Sequence, residues 1–126
     1  TTKAQLTDTA IMALAERCTN LAKLRVWMCT NLTVASLAAI TQHSHNLTEL
    51  IVAMCFIDAL PENIGNLSKL RDLDVESNEF KELPRSIVDL DASCRFNCRG
   101  TRLQMPPQDI ADQGMLAIRR YFDELD

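Results

Sequence analysis

The residues of this sequence that could do chemistry are two histidines, five cysteines and scattered acidic side chains. His43-Ser44-His45 does not place both rings on one helical face, so its spacing disfavours a metal site. Cys94 and Cys98 would suit a metal on a helix, but on a strand they lie about 13 Å apart, too far for one ion. The chain has only three glycines, Gly65, Gly100 and Gly114, and no glycine-rich phosphate loop. It also shows no plausible nucleophile–base pair. The sequence therefore predicts no catalytic site, no metal site and no cofactor.

The size and charge of the chain favour one soluble domain. It has 126 residues, of which 47% are hydrophobic and 24% charged, and its formal net charge is -4. A nucleic-acid partner is disfavoured because the chain has no basic excess. A membrane-embedded protein is disfavoured because no apolar run approaches the roughly 20 residues that span a bilayer.

A repeated pattern organises the middle of the chain, and its two copies are offset by 23 residues. The first copy has Leu47, Leu50, Val52, Cys55, Ile57, Leu60, Pro61, Ile64 and Leu67, and the second has Leu70, Leu73, Val75, Asn78, Phe80, Leu83, Pro84, Ile87 and Leu90. The alternating Leu-x-Val predicts a short strand with one buried face, which must stack on other copies to bury it. The residue at the position of Asn78 can hydrogen-bond the backbone of the following turn. Each proline then predicts an irregular or extended return arc.

The segments before the middle copies predict two helices and one more strand. Residues 1–20 read as a helix with Thr7 or Asp8 as the N-cap, and residues 21–46 read as a strand followed by a similar helix. The residues that keep the helical or strand spacing in these segments are Ile11, Leu14, Cys18, Leu21, Leu24, Val26, Cys29, Leu32, Leu37 and Ile40. No segment of this sequence is predicted to cover the N-terminal edge of the sheet, which predicts a fragment of a longer protein or an end buried by a neighbouring chain.

The segment after the middle copies predicts a degenerate copy and a closing helix. Phe96, Cys98 and Leu103 keep the core pattern. An amphipathic helix is predicted from near Pro107, with Ile110, Gly114, Ile118, Phe122 and Leu125 on its apolar face. Such a helix would cover the last strand edge.

The pattern L-x-x-L-x-L-x-x-N/C-x-L resembles that of the leucine-rich repeat (LRR) proteins. The resemblance implies an α/β fold, a right-handed solenoid with a curved parallel sheet on its concave face, helices or irregular arcs on its convex face, and a C-terminal capping helix. The first repeats resemble the cysteine-containing subclass found in F-box receptors, and the later ones the LPxxI subclass, with a join near Cys55–Pro61. One domain over 1–126 is expected, with a partial repeat at 1–20, repeats at 21–46, 47–69 and 70–92, and a degenerate repeat with the capping helix at 93–126.

The concave face is the predicted binding surface for a protein or peptide, because strand residues between the core positions point there. Stacking the repeats orders this surface into four zones: a basic zone with Lys23, Arg25 and Trp27, an apolar zone with Ile51 and Ala53, an acidic zone with Asp72, Asp74 and Glu76, and a second basic zone with Arg95 and Arg99. Trp27 with Ile51 and Ala53 forms an apolar patch, with Met28 and Met54 beside it. The predicted partner-binding residues are Lys23, Arg25, Trp27, Glu49, Ile51, Asp72, Asp74, Glu76, Arg95, Asn97 and Arg99.

Two alternatives assign this surface a structural role only. Cross-strand charge pairs, such as Lys23 with Glu49 or Asp72 with Arg95, could serve only to stabilise the sheet. Trp27 could pack against a further N-terminal repeat in a parent protein.

Function and compartment follow from the same pattern. The predicted function is protein–protein interaction by a non-enzyme. The alternatives are the recognition arm of a multidomain enzyme, such as a ubiquitin-ligase receptor or a Roc-type GTPase protein, and a structural subunit that associates through its N-terminal edge. Cysteines at core positions, without cysteine-rich caps, predict an intracellular and cytoplasmic protein. Three Asn-x-Ser/Thr sequons, at Asn31, Asn46 and Asn66, are instead typical of a secreted protein. The Leu within each sequon is a repeat core position, so the repeat itself produces these matches.

Overall fold

The fold is α/β and contains one parallel four-stranded sheet. A computed structural model describes residues 6–125, so the first five residues of the predicted repeat 1–20 and the last residue of the predicted segment 93–126 lie outside it. The strands are β1 (Lys23–Trp27), β2 (Glu49–Ala53), β3 (Asp72–Asp74) and β4 (Arg95–Asn97), and they lie side by side in the order of the sequence. This arrangement is compatible with the LRR architecture that the sequence pattern implies.

The register of the sheet follows the spacing of the repeats. Leu24 lies opposite Leu50, Leu50 opposite Leu73, and Leu73 opposite Phe96. The next inward position holds a buried side chain in every repeat, namely Val26, Val52, Val75 and Cys98. Stacked strands therefore bury one continuous apolar face, which confirms the prediction that no strand buries its inner side alone. Cys98 comes directly after β4, not within it.

Two helices lie behind the first half of the sheet, as predicted. Helix α1 (Asp8–Arg17) begins at the N-cap Thr7, and α2 (Val34–His43) begins at the N-cap Thr33. The Asp8 carboxylate accepts hydrogen bonds from Thr33 N at 2.9 Å, Thr33 Oγ1 at 2.6 Å and Ser36 Oγ at 2.6 Å. These bonds join the starts of the two helices. Partial burial opposes ionisation of Asp8, but the hydrogen bonds outweigh it and lower the pKa.

Shorter arcs replace the helices behind the second half of the sheet. They contain short 3-10 helices at Ile64–Asn66 and Arg85–Asp89, and the second follows the extended Pro84. The side chain of Ser86 connects the two arcs, since its Oγ donates to Glu62 O at 2.6 Å and accepts from Gly65 N at 3.1 Å. The predicted change from helical to irregular arcs is confirmed in the segment after β2.

One inward polar side chain, that of Asn78, pairs backbone groups in the turns after β2 and β3. Asn78 is 3% exposed, and its Oδ1 accepts from Cys55 N and Ile57 N, both at 3.1 Å. Its Nδ2 donates to Val52 O at 2.7 Å and Val75 O at 2.9 Å. These bonds confirm that the residue at this position pairs turn backbone groups that burial would otherwise leave unpaired.

The C-terminal segment forms two helices, so the prediction of one continuous helix is wrong. Helix α3 covers Gln108–Ala111 and α4 covers Met115–Leu125. Gly114 lies between them with φ 101°, a left-handed conformation that ends a right-handed helix. The spacing of apolar residues does not predict this break, because it contains no information about the backbone angle φ. Leu125, predicted on the apolar face, is 49% exposed.

Apolar residues near the two ends of the described chain are buried to different extents. At the C-terminal end, α4 buries Met115, Ile118 and Phe122, and its Arg119 Nη2 donates to Leu90 O at 2.6 Å. At the N-terminal end, Leu21 and Leu24 are only partly buried, whereas Leu47 and Leu50, one repeat later, are buried. The first repeat therefore leaves part of its apolar side accessible.

Candidate protein-binding surface

The face of the sheet opposite the core carries the residues predicted to bind a partner. We call it the open face. Its first register row runs Lys23, Glu49, Asp72, Arg95, and its second runs Arg25, Ile51, Asp74, Asn97. Neighbouring strands lie about 4.8 Å apart, so each row is a continuous strip of surface. The structure therefore brings these eight side chains together as the repeat spacing predicted.

The third row continues past the ends of the short strands. Trp27 lies opposite Ala53. Glu76 is the next residue of this row, since its backbone carbonyl accepts a hydrogen bond from Met54 N at 3.1 Å and therefore lies beside the end of β2. The carbonyl of Arg99 accepts from Ser77 N at 2.8 Å, which places it beside the segment after β3. Trp27 is 47% exposed, so its indole is available at this surface.

Ala53 does not contribute to the exposed apolar patch, so that part of the prediction is wrong. Its exposed fraction is 0%. The alanine methyl group is short, and its register neighbour on β1 is the much larger Trp27. The apolar part of this row consists of Trp27, with Ile51 half-buried in the row beside it.

In the first basic zone, an ion pair already satisfies one cation. Arg25 Nε donates to Glu49 Oε2 at 2.6 Å, so Glu49 bonds this diagonal neighbour and not Lys23, its register neighbour. The hydrogen bond is the main cause that raises the pKa of Arg25 and lowers the pKa of Glu49. The guanidinium has several fixed donors and makes the stronger directional bond, which explains the choice of partner.

The acidic zone keeps two carboxylates without a cationic partner. Asp72 lies 4.0 Å from Arg95 Nη1, as the predicted pairing requires. Asp74 accepts from Glu76 N, and Glu76 Oε2 accepts from Asn97 Nδ2, both at 3.1 Å. These donors are neutral, and within residues 6–125 no ion pair involves Asp74 or Glu76. The zone therefore has negative charge available for a partner.

A cleft of about 290 Å³ lies where the acidic zone meets the second basic zone. Asp72 and Asp74 line it on one side, and Arg95 and Arg99 line it on the other. Asp112 also lines it and accepts from Gln108 Nε2 at 2.9 Å. Sequence reasoning missed Asp112, because the repeat register ends before this residue and gives no signal for its place.

Large apolar side chains are exposed where β1 and β2 end. We call Trp27, Met28, Met54 and Phe56 the exit patch. The exposed fractions of Met28, Met54 and Phe56 are 60%, 38% and 59%. Sequence reasoning placed the methionines beside Trp27 but missed Phe56. The exposure of Phe56 could have been predicted from its position between the core residues Cys55 and Ile57, since a residue between two inward-facing neighbours in this turn faces outward.

The described residues offer little to hold a metal. Within residues 6–125 no group of three or more His, Cys, Asp or Glu side chains converges. The cysteines are free thiols. Burial raises the pKa of Cys94 to about 11 and that of Cys98 to about 12, so both thiols are protonated near neutral pH. Their environment is typical of packing residues. Among the described residues, no helix has the length and apolar character needed to cross a bilayer.

Comparisons with known proteins find partial relatives. The chain is 36% identical over 81 residues to "Plant intracellular Ras-group-related LRR protein 4" of Oryza sativa subsp. japonica, which is 63% of this chain and 14% of that protein. It is 48% identical over 50 residues to "TMV resistance protein N" of Nicotiana glutinosa, which is 38% of this chain and 4% of that protein. No protein-family model and no solved structure matches. These similarities support a relationship to proteins of the LRR type, and the chain spans only a small part of either relative.

Proposed function

We propose that this chain is a protein-interaction module that presents its open face to a protein or peptide partner. The observation that carries this proposal is the open face itself, where an exposed tryptophan and two carboxylates without an ion-pair partner among residues 6–125 share one register-aligned surface. Exposed apolar area beside uncompensated charge is typical of interaction sites. An LRR-named relative supports the same class of function.

The finer architecture belongs to this proposal. The domain is a right-handed LRR solenoid whose sheet curves so that the open face is concave. Repeats of the cysteine-containing subclass meet LPxxI repeats after β2, and the repeat boundaries are those predicted from the sequence. The change from helices to 3-10 arcs at this point supports the join. An intracellular location is supported by buried free thiols and by the word "intracellular" in one relative's name.

A second candidate function is the recognition arm of a multidomain protein. It is favoured by the small share of each relative that the chain covers, 14% and 4%. In that case the open face would select the partner, and any catalysis would belong to other domains. The present chain would still act without catalytic residues of its own.

A third candidate is a structural subunit that associates through the N-terminal edge. It is favoured by the partly buried Leu21 and Leu24, whose counterparts in the next repeat are fully buried. Light scattering tests this directly. A stable monomer at high protein concentration would contradict it, and association that grows with concentration would support it.

Site-specific photo-crosslinking tests the proposed function. A benzophenone amino acid replaces Ile51 on the open face in one variant and Asn66, on the arc behind the sheet, in a matched control. We expect extract from the native cells to give a discrete crosslinked partner with the Ile51 variant and not with the Asn66 variant. Equal crosslinking from both positions, or none from Ile51, would count against the open face as the binding surface.

A further inference from the structure

The end of the open face where the strands finish combines two zones. The exit patch lies at the end of β1 and in the turns that follow β1 and β2, and the acidic residues Asp74 and Glu76 lie in β3 and in its following turn. Backbone bonds make these zones adjacent, since Met28 N donates to Ala53 O at 3.0 Å and Met54 N donates to Glu76 O at 3.1 Å. An apolar surface therefore lies next to an acidic surface whose Asp74 and Glu76 have no ion-pair partner in the part of the chain that the structure describes.

The methionines of the exit patch are not required by the turn that holds them. Met28, Met54, Ser77 and Gly100 occupy the same position in four successive repeats, with φ of 54°, 54°, 56° and 76°. This left-handed conformation suits small residues, and the third and fourth repeats use them. The first two repeats instead expose flexible methionines, which adapt well to apolar partners. Folding alone does not explain the choice.

The aromatic residue of the patch follows the same logic. Phe56 has φ 57° and is 59% exposed. The corresponding positions in the other repeats hold the polar residues Thr30, Glu79 and Arg102. A bulky ring at a strained and exposed position gives the fold no evident benefit. Together with Trp27 it gives the patch two aromatic side chains, the type enriched at binding hot spots.

The acidic zone favours a ligand group that carries a positive charge. Glu49 and Asp72 already have arginines near them, at 2.6 Å and 4.0 Å. Among residues 6–125, Asp74 and Glu76 have only neutral hydrogen-bond donors. A cationic side chain arriving here would gain charge-assisted hydrogen bonds without displacing an internal ion pair. An acidic side chain would meet repulsion instead.

We propose that the exit patch, together with Asp74 and Glu76, binds an extended segment of a partner protein. This segment carries a bulky apolar side chain and, about three residues away, an arginine or lysine. The inference deepens the proposed function and rests on it. The spacing follows from geometry: β1 and β3 are two strand spacings apart, about 10 Å, and an extended chain advances about 3.3 Å per residue. The apolar side chain packs on the exit patch and the cation binds Asp74 and Glu76.

Titrations of the isotope-labelled protein with short Gly/Ser peptides, followed by NMR, test this pairing. One peptide carries Phe-x-x-Arg, a second Phe-x-x-Glu and a third Ser-x-x-Arg. We expect the first to bind about tenfold tighter than either of the others, the effect of one charge-assisted contact. The shifts should concentrate at the Trp27 indole and the amides of Phe56 and Glu76. Equal affinities, shifts elsewhere, or no binding of Phe-x-x-Arg at millimolar concentration would each overturn the inference.

Variants separate this inference from the proposed function. The double variant Asp74→Asn with Glu76→Gln should bind Phe-x-x-Arg and Phe-x-x-Glu equally, while the control Glu62→Gln, on the arc behind the sheet, should keep the preference. A preference that survives in the double variant would overturn the inference. A partner that crosslinks to position 51 but binds without regard to its basic residues would overturn only the inference. Failure of crosslinking at position 51 would overturn the proposed function.

Discussion

Replacing Asn78 by alanine should be among the most destabilising single changes in this chain. The amide side chain is 3% exposed, and its Oδ1 accepts from the backbone N–H groups of Cys55 and Ile57. Alanine leaves both N–H groups buried without that acceptor. At about 1–3 kcal/mol for each buried unpaired group, the free energy of unfolding should fall by roughly 2 to 6 kcal/mol. This is a large part of the 5–15 kcal/mol typical of a domain.

Urea unfolding measures this loss. Circular dichroism reports the backbone, and fluorescence of Trp27, the single tryptophan, reports the sheet. A loss of about 4 kcal/mol should lower the urea midpoint by about 2 M, at an m-value of about 2 kcal/mol/M. The control Asn66→Ala changes an exposed asparagine and should shift stability by less than about 0.5 kcal/mol. A loss below about 1 kcal/mol for Asn78→Ala would refute the reasoning.

Three further predictions concern the back of the sheet and the thiols. Asp8→Ala should destabilise the protein at pH 7, measured by urea unfolding. Because the pKa of Asp8 is lowered on folding, its contribution is present above the unfolded pKa and is lost as pH falls through the folded pKa. Gly65→Ala should cost about 2 kcal/mol or more by the same assay, because an added Cβ would meet Ser86 O at 2.2 Å. A thiol reagent should modify the exposed Cys18 fast and the buried Cys98 only on unfolding, because burial raises the pKa of Cys98 to about 12.

Each of these predictions has a specific contradiction. A stability difference between Asp8→Ala and the parent protein that persists unchanged at low pH would exclude the ionised carboxylate as its source. A neutral Gly65→Ala would mean that the arcs move apart at little cost. A fast thiol reaction that persists in Cys18→Ser would assign the accessible thiol to another cysteine.

The sequence predicts the core of this fold because apolar periodicity reports burial directly. The offset of 23 residues places Leu50 opposite Leu73, and the structure aligns them. The same spacing fixes which strand residues share the open face. Once strands stack in register, Asp74 and Asn97 must be neighbours, and they are.

Features that depend on backbone angles or side-chain length were not predictable in this way. The break at Gly114 requires φ 101°, which apolar spacing does not encode. Glu49 forms its ion pair with Arg25 and not with Lys23, and this preference depends on side-chain length and donor geometry. Ala53 is buried because its neighbours are longer, which repeat alignment does not consider. Contacts such as that of Asp112 with the cleft come from outside the repeats.

The most direct test of partner binding by the open face is the affinity of a partner crosslinked through position 51 for four forms of the protein. These are the parent chain, Trp27→Ala, Asp74→Lys and the control Glu62→Lys, each checked for unchanged folding by circular dichroism. We expect Trp27→Ala and Asp74→Lys each to weaken binding more than tenfold, the loss of a hot-spot contact, and Glu62→Lys to leave it unchanged. An affinity that survives both open-face changes would place the binding site elsewhere.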